Sequence, residues 1–362
     1  MNNTHRSLLQ LLSISLGNEN KFCCSTENND WENIYFESRR QGVSGIVLDS
    51  INSLSSSSRP NSKLLLEWIG DAVTNERRYL SYADTISRLT AIAEGLGMKM
   101  LVLKGYGCSL NYPVPNHRPC GDIDVYLLDD NWHHSEDLSR HLEDYLYQEY
   151  GICVCNKNGH HSQFNFGEFL VENHSFILDI DAHKSSEYLE ELLEGIIAEG
   201  IPEVTIDGRT FYFPPSRFNS IHLLRHMAND FATVRTTLRH VLDWSTFVAS
   251  NSLDWTFVRE IAHKTNMNRF LDALNGICVD YLGYQEERFP IEHRDLKLEN
   301  KVLDSILTSQ DSVKHPSKYM SFPQRLCYGL SKAKRMWNNR WKYRIVYNES
   351  LLQSFFRKVK QF

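Results

Sequence analysis

Residues 98–128 read MKMLVLKGYGCSLNYPVPNHRPCGDIDVYLL, and this stretch decides the fold. MKMLVL is a run of strand length, apolar but for Lys99, closed by Lys104 and a glycine turn. Pro113, Pro115 and Pro119 make the next segment irregular, and GDIDVYLL at 121–128 forms a second strand. Upstream, Leu66, Ile69, Val73, Leu80, Ile86, Leu89, Ile92 and Leu96 recur at helical spacing and predict a long amphipathic helix over 63–96, stopped by Gly95 and Gly97. Downstream, the pattern predicts a helix over 132–150 and strands at 163–170 and 175–182, with a turn at Glu172 and Asn173. After residue 185 it turns helical, at 187–199, 216–232, 234–250, 254–264 and 267–282, with a small strand near 210–213. Residues 1–60 read as short helices ending in the linker SLSSSSRPNS. The expectation is an α+β protein with a small mixed sheet at 96–185. An N-terminal helical region (1–95), a C-terminal helical domain (186–330) and a basic aromatic tail (331–362) surround it.

The chain has 362 residues, 41% hydrophobic and 23% charged, a globular composition that excludes collagen-like and wholly disordered classes. Its net charge of −6 hides an asymmetry: Lys332 to Lys360 carries nine basic residues against Glu349 alone, so the rest of the chain is strongly acidic. An acidic body argues against general nucleic-acid binding, which depends on neutralising phosphates. The tail interleaves its cations with Trp337, Trp341, Tyr343, Tyr347, Phe355 and Phe356 and suits docking onto its own chain, a partner or an anionic surface. Eight cysteines without a CxxC pair read as reduced and mostly packed, and the N-terminus lacks a secretory pattern. A cytoplasmic location is expected.

Chemistry concentrates in the carboxylates. Asp122 and Asp124 stand two apart on a strand, so both project from one face. Paired carboxylates call for a cation between them, and hard oxygen ligands suit Mg²⁺ or Mn²⁺. FILDIDAH places Asp179, Asp181 and His183 on one face of the second downstream strand by the same rule, supplying a third carboxylate. Lys104, Gly105, Tyr106 and Gly107 form a turn whose amides and ammonium can hold phosphate, and Arg118 is a further phosphate contact. Together these are the equipment of metal-assisted nucleotidyl or phosphoryl transfer.

With these motifs in place, the stretches MLVLKGYG, RPCGDIDVYL and LDIDAH resemble the uncharacterised nucleotidyltransferases of the polymerase-beta-like superfamily, over roughly residues 64–250. The resemblance implies transfer of NMP from an NTP to a hydroxyl acceptor, with Mg²⁺ (or Mn²⁺) held by Asp122, Asp124 and Asp181. Asp181 is preferred to Asp179 because His183 follows it by two. The resemblance also implies a substrate pocket that uses His183, His222, His226, Arg239 and Asp243. The family's Gly-Ser turn is here Gly105-Tyr106, or Gly107-Cys108, and lacks its serine. A catalytically degenerate, antitoxin-like binding protein on the same fold is the alternative.

Two further signals stand apart. HRDLKLENKVLD at 293–304 matches a kinase catalytic loop, but no glycine-rich loop precedes it and no DFG follows, so it reads as a solvated loop or helix. His222 and His226, four apart on a helix, could share a zinc ion, yet Leu223 stands where a metalloprotease needs an acid and no third ligand is evident.

Overall fold

The computed structural model describes residues 1–18, 30–154, 156–157, 160–180, 183–233, 235–308, 321–350 and 353. Four helices lead in: α1 (Asn3–Ser15), α2 (Trp31–Arg40), α3 (Ser44–Ile51) and α4 (Ser62–Gly95). The central part runs β1 (Lys99–Val102), α5 (Tyr106–Ser109), β2 (Ile123–Leu128), α6 (Glu136–Tyr150), β3 (Asn156–Lys157), β4 (His161–Phe166) and β5 (Phe169–His174). Then come α7 (Ser186–Ala198), β6 (Glu203–Ile206) and β7 (Arg209–Tyr212). The remaining helices are α8 (Ser216–Thr233), α9 (Leu238–Ser250), α10 (Trp255–Lys264), α11 (Asn268–Leu282), α12 (Leu296–Leu307), α13 (Phe322–Asn338) and α14 (Arg340–Tyr347). No helix among the described residues is long and apolar enough to cross a membrane.

The strands form one mixed, seven-stranded sheet in the order β3-β4-β5-β2-β1-β7-β6. β2 runs antiparallel to β1 and parallel to β5, while β1 pairs in parallel with β7, so the sheet draws its last two strands from beyond residue 185. All six residues of β2 are buried, because both faces of the sheet are covered. On one face Ile123, Val125 and Leu127 meet Phe164, Phe166, Phe169 and Val171 under Tyr82, Ile86 and Leu89 of α4 and Leu142 and Leu146 of α6. On the other, Tyr126 and Leu128 join a larger core built from both the N-terminal helices and α7 to α12. Ser13 and Asn18, at the end of α1, both donate to the Leu282 carbonyl and tie the two helical groups together.

The structure changes two of the expected elements. The β4–β5 turn falls at Gly167, with φ +62°, rather than at Glu172 and Asn173, so the strands lie at 161–166 and 169–174 and residues 175–180 are not a strand. In α4 the expected stripe is displaced over its first half. Leu66, Ile69 and Leu80 are exposed, while Leu64, Trp68, Tyr79 and Tyr82 are buried, the bulky aromatics deciding which face turns inward. The HRD string is, as expected, an ordinary helix start, where Asp295 accepts from the Leu298 amide as N-cap of α12 and Asn300 accepts from the Tyr281 hydroxyl.

Within the tail, α14 packs against α8 and α11. Trp341 meets Phe231 edge-on, and the Tyr347 hydroxyl donates to Asn229 at 2.7 Å. Cys108 and Cys278 are buried, whereas Cys153 and Cys327 are exposed.

The irregular segment before β2 is held to α9 by a buried ion pair. Arg118 Nε and Nη2 each donate to Asp243 at 2.8 Å, and Tyr112 donates to the same carboxylate at 2.7 Å. Burial would raise the Asp243 carboxyl, but Arg118 outweighs it and holds the pKa down at about 2. Asp243→Ala, by stranding a buried guanidinium, is expected to destabilise the protein by about 3–5 kcal/mol in urea unfolding. A depressed carboxyl stabilises above its unfolded value of 3.8, and that share is lost as pH falls toward 2. Between those values wild type is therefore expected to lose stability more steeply than Asp243→Ala. A loss under about 1 kcal/mol with parallel acid profiles would contradict this lock.

Candidate active site

The site starts at β2. Ile123, Val125 and Leu127 turn toward α4 and α6, so by strand alternation Asp124 lies on the opposite face with Tyr126 and Leu128. The parallel pairing with β5 places Glu172 directly beside Asp124, and His174 two residues further along the same face. Asp124 Oδ1 lies 3.1 Å from Lys104 Nζ and 3.1 Å from His174 Nε2. Burial alone would raise the Asp124 carboxyl, but Lys104 and His174 outweigh it and hold it well below the usual carboxylate range. Lys104 is pushed down by burial and pulled up more strongly by Asp124 and Asp230, so it stays an ammonium. Glu172 accepts from Gln163 Nε2 at 2.6 Å, which orients it across the β4–β5 hairpin. Asp122 stands exposed at the strand entrance, its pKa raised by desolvation and then by the charges of Glu172 and Asp124.

Lys104 reaches Asp124 because the chain turns sharply after β1. Gly105 sits at φ +70°, and a Cβ there would lie 2.5 Å from the Tyr82 hydroxyl. That hydroxyl donates to the Asp122 carbonyl at 2.8 Å, so the glycine turn and the Asp-x-Asp entrance share one support from α4.

A cavity of about 220 Å³ opens beside these groups. Lys104, Glu172 and His174 line it from the sheet, and His222, Arg225, His226, Asn229 and Asp230 from α8. The α8 residues recur at helical spacing and form one polar stripe. Burial drives the His222 pKa down to about 3 and His226 well below its ordinary value, so both are neutral imidazoles at neutral pH. Burial likewise lifts Asp230 to about 6.

Lys104, His222 and His226 of the sequence-derived set line this cavity and Asp124 adjoins it through Lys104 and His174, while Asp122 stands at the strand entrance within electrostatic reach of Asp124 and Glu172, with Arg239 close enough to pull its pKa down. Others go elsewhere. Arg118, read from sequence as a phosphate contact, is buried and spends Nε and Nη2 on Asp243 and Nη1 on Pro119 and Cys120. Asp243 is likewise withdrawn from the substrate pocket. Tyr106 packs into the core against Tyr79 and Phe211, and Gly107 is covered by Phe213, so neither of their side-chain positions faces phosphate. His183 is buried on the Tyr347 ring and bonds Ser185 rather than substrate. Asp181 lies outside the described residues.

Glu172, His174 and Asp230 were not among the sequence candidates. The signal for the first two was FNFGEFLVENH at 164–174, where alternation runs on either side of a glycine turn. Asp124, Glu172 and His174 each offer one ligand atom, all within 4.8 Å of one another, a donor set that fits a divalent cation.

The family model described as "Uncharacterised nucleotidyltransferase" matches residues 27–283, and the chain belongs to that family. No curated protein matches. Among solved structures, the chain is similar to an antigenic nucleotidyltransferase-like protein from Paracoccidioides brasiliensis, with 12% identity over 58% of this chain and 94% of that one and a TM-score of 0.35.

Gly105→Ala is expected to lower the melting temperature, by a strain of about 1–3 kcal/mol plus the clash. Adding Tyr82→Phe removes the clashing oxygen and is expected to restore part of the loss. A double variant no more stable than the single one would show that Tyr82 is not what confines this turn.

Proposed function

We propose that this protein transfers a nucleoside monophosphate from an NTP to a hydroxyl of a small molecule or a protein. The supporting observation is the convergence of Asp124, Glu172 and His174 with Lys104 beside a cavity walled by α8, with Asp122 within electrostatic reach at the strand entrance. Asp122, Asp124, Glu172 and His174 would hold Mg²⁺ or Mn²⁺, which supplies charge neutralisation at the triphosphate and a more acidic hydroxyl. Lys104 can exchange Asp124 for a phosphate oxygen as nucleotide enters, since one oxygen of Asp124 now answers both Lys104 and His174. Glu172, held by Gln163, is the base in this reading. The acceptor oxygen bonds to the α-phosphorus, the bond from that phosphorus to the bridging oxygen breaks, pyrophosphate leaves, and the hydroxyl proton passes to the carboxylate. His222 and His226, neutral on the opposite wall, offer hydrogen bonds to the acceptor or the base.

A second reading, a degenerate binder of nucleotide or of a partner chain, draws on Tyr106. Tyr106, one of the two residues in line for the place of the family's serine, turns its ring into the core, and Cys108, the other, is buried and has no hydroxyl.

α-Labelled NTPs with Mg²⁺ or Mn²⁺ separate the readings. Wild type is expected to release pyrophosphate and transfer label. Asp122→Asn with Asp124→Asn should lower that rate by at least about a thousandfold. Glu172→Gln is expected to reduce the rate by at least about a hundredfold. Nucleotide binding without turnover would favour the binder, and equal rates in wild type and the double Asp variant would overturn the transferase reading.

A further inference from the structure

Across the cavity from Asp124 lies a second group of ligand-type side chains, and the geometry points to a transition-metal site of the zinc class at His226, Asp230 and His240. His226 and Asp230 are one helical turn apart on α8 and both line the cavity, while His240 comes from the first turn of α9. Each offers one ligand atom, all within 4.8 Å of one another. Asp230 Oδ2 is 3.4 Å from His226 Nε2 and 3.8 Å from His240 Nε2. Both separations exceed the roughly 2.7–3.2 Å of an N–H···O hydrogen bond, so the three groups converge without bonding one another directly. Ligands at about 2.0–2.1 Å around a tetrahedral ion stand about 3.3 Å apart, close to the spacing seen here.

The supports also fit. His240 Nδ1 accepts from the Thr237 amide at 3.1 Å and lies 3.0 Å from the Thr237 hydroxyl, which fixes the ring with Nε2 turned toward Asp230; binding an ion there moves the Nε2 proton to Nδ1, where the Thr237 hydroxyl oxygen can accept it. All three residues are half-buried, so an ion can reach them. Two imidazoles and one carboxylate select zinc, cobalt or nickel over magnesium, whereas the Asp124 group, with two carboxylates and one imidazole, is the harder set. Three protein ligands leave a coordination position for a solvent or substrate oxygen, and the cavity is where that oxygen would sit. The proposed ion therefore uses only one of the pair His222 and His226. His222 is buried outside the cluster, and the missing ligands are Asp230 and a histidine from the next helix.

The site shares His226 and the cavity with the proposed transferase, but its test needs no activity. The full chain, stripped with chelator and then dialysed against Zn²⁺, is expected to retain about one zinc per chain with two imidazoles in its X-ray absorption spectrum. His226→Gln and His240→Gln, the latter keeping a side-chain acceptor for the helix cap, should lose that ion. Asp124→Asn with Glu172→Gln should keep it. Loss of a wild-type zinc centre is not the only adverse outcome. A centre with a single imidazole, which is what Asp124, Glu172 and His174 would give, or a two-imidazole centre that survives His226→Gln, would equally overturn the assignment. The wild-type spectrum decides between the sites even if the histidine variants fail to fold.

Discussion

One buried charge organises this molecule. Asp124 is 6% exposed on a strand whose every residue is buried, and an isolated carboxylate there would cost several kcal/mol. Lys104 and His174 offset that cost by meeting the same oxygen. Lys104 can do so only if the chain turns at Gly105, the turn needs the space that Tyr82 leaves, and Tyr82 is held by the packing of α4 beneath the sheet. His174 can do so only if β5 lies parallel to β2 with Glu172 opposite Asp124. Register, helix packing and glycine conformation therefore all converge on one carboxylate oxygen.

Such an arrangement is poised rather than closed. An ammonium and an imidazole satisfy Asp124 in the protein as it stands, and both lie on the cavity wall where a charged ligand would arrive. The opposite wall is supplied by α8, whose polar stripe faces the cavity. Its other neighbours include α14, where Tyr347 bonds Asn229 and lies against Arg225. The basic tail, set apart by composition, in this part rests directly behind the wall of the site. The position of that wall is thereby linked to the packing of α14.

Much of this was legible in the sequence where local chemistry decides. The strand, glycine turn and Asp-x-Asp strand stand where their residues place them, and the helices from 186 to 282 follow their apolar spacing closely. The failures came where tertiary context decides. A Gly-Glu turn at 167–168 competes with the more polar Glu172 and Asn173, and taking the latter as the turn removed Glu172 and His174 from the site. Arg118 looks like a phosphate ligand because nothing nearby pairs it, while its true partner, Asp243, lies 125 residues away. In α4 two apolar stripes of similar period were available, and Trp68, Tyr79 and Tyr82 rather than the leucines turned inward.

The most direct measurement is anomalous diffraction from crystals soaked with Mn²⁺ and a non-hydrolysable NTP. The account predicts manganese bound by Asp122 and Asp124, with Lys104 drawn from Asp124 to a phosphate oxygen and the triphosphate against the 220 Å³ cavity. Nucleotide bound elsewhere, with the Lys104 to Asp124 pair intact and no manganese at the carboxylates, would contradict it.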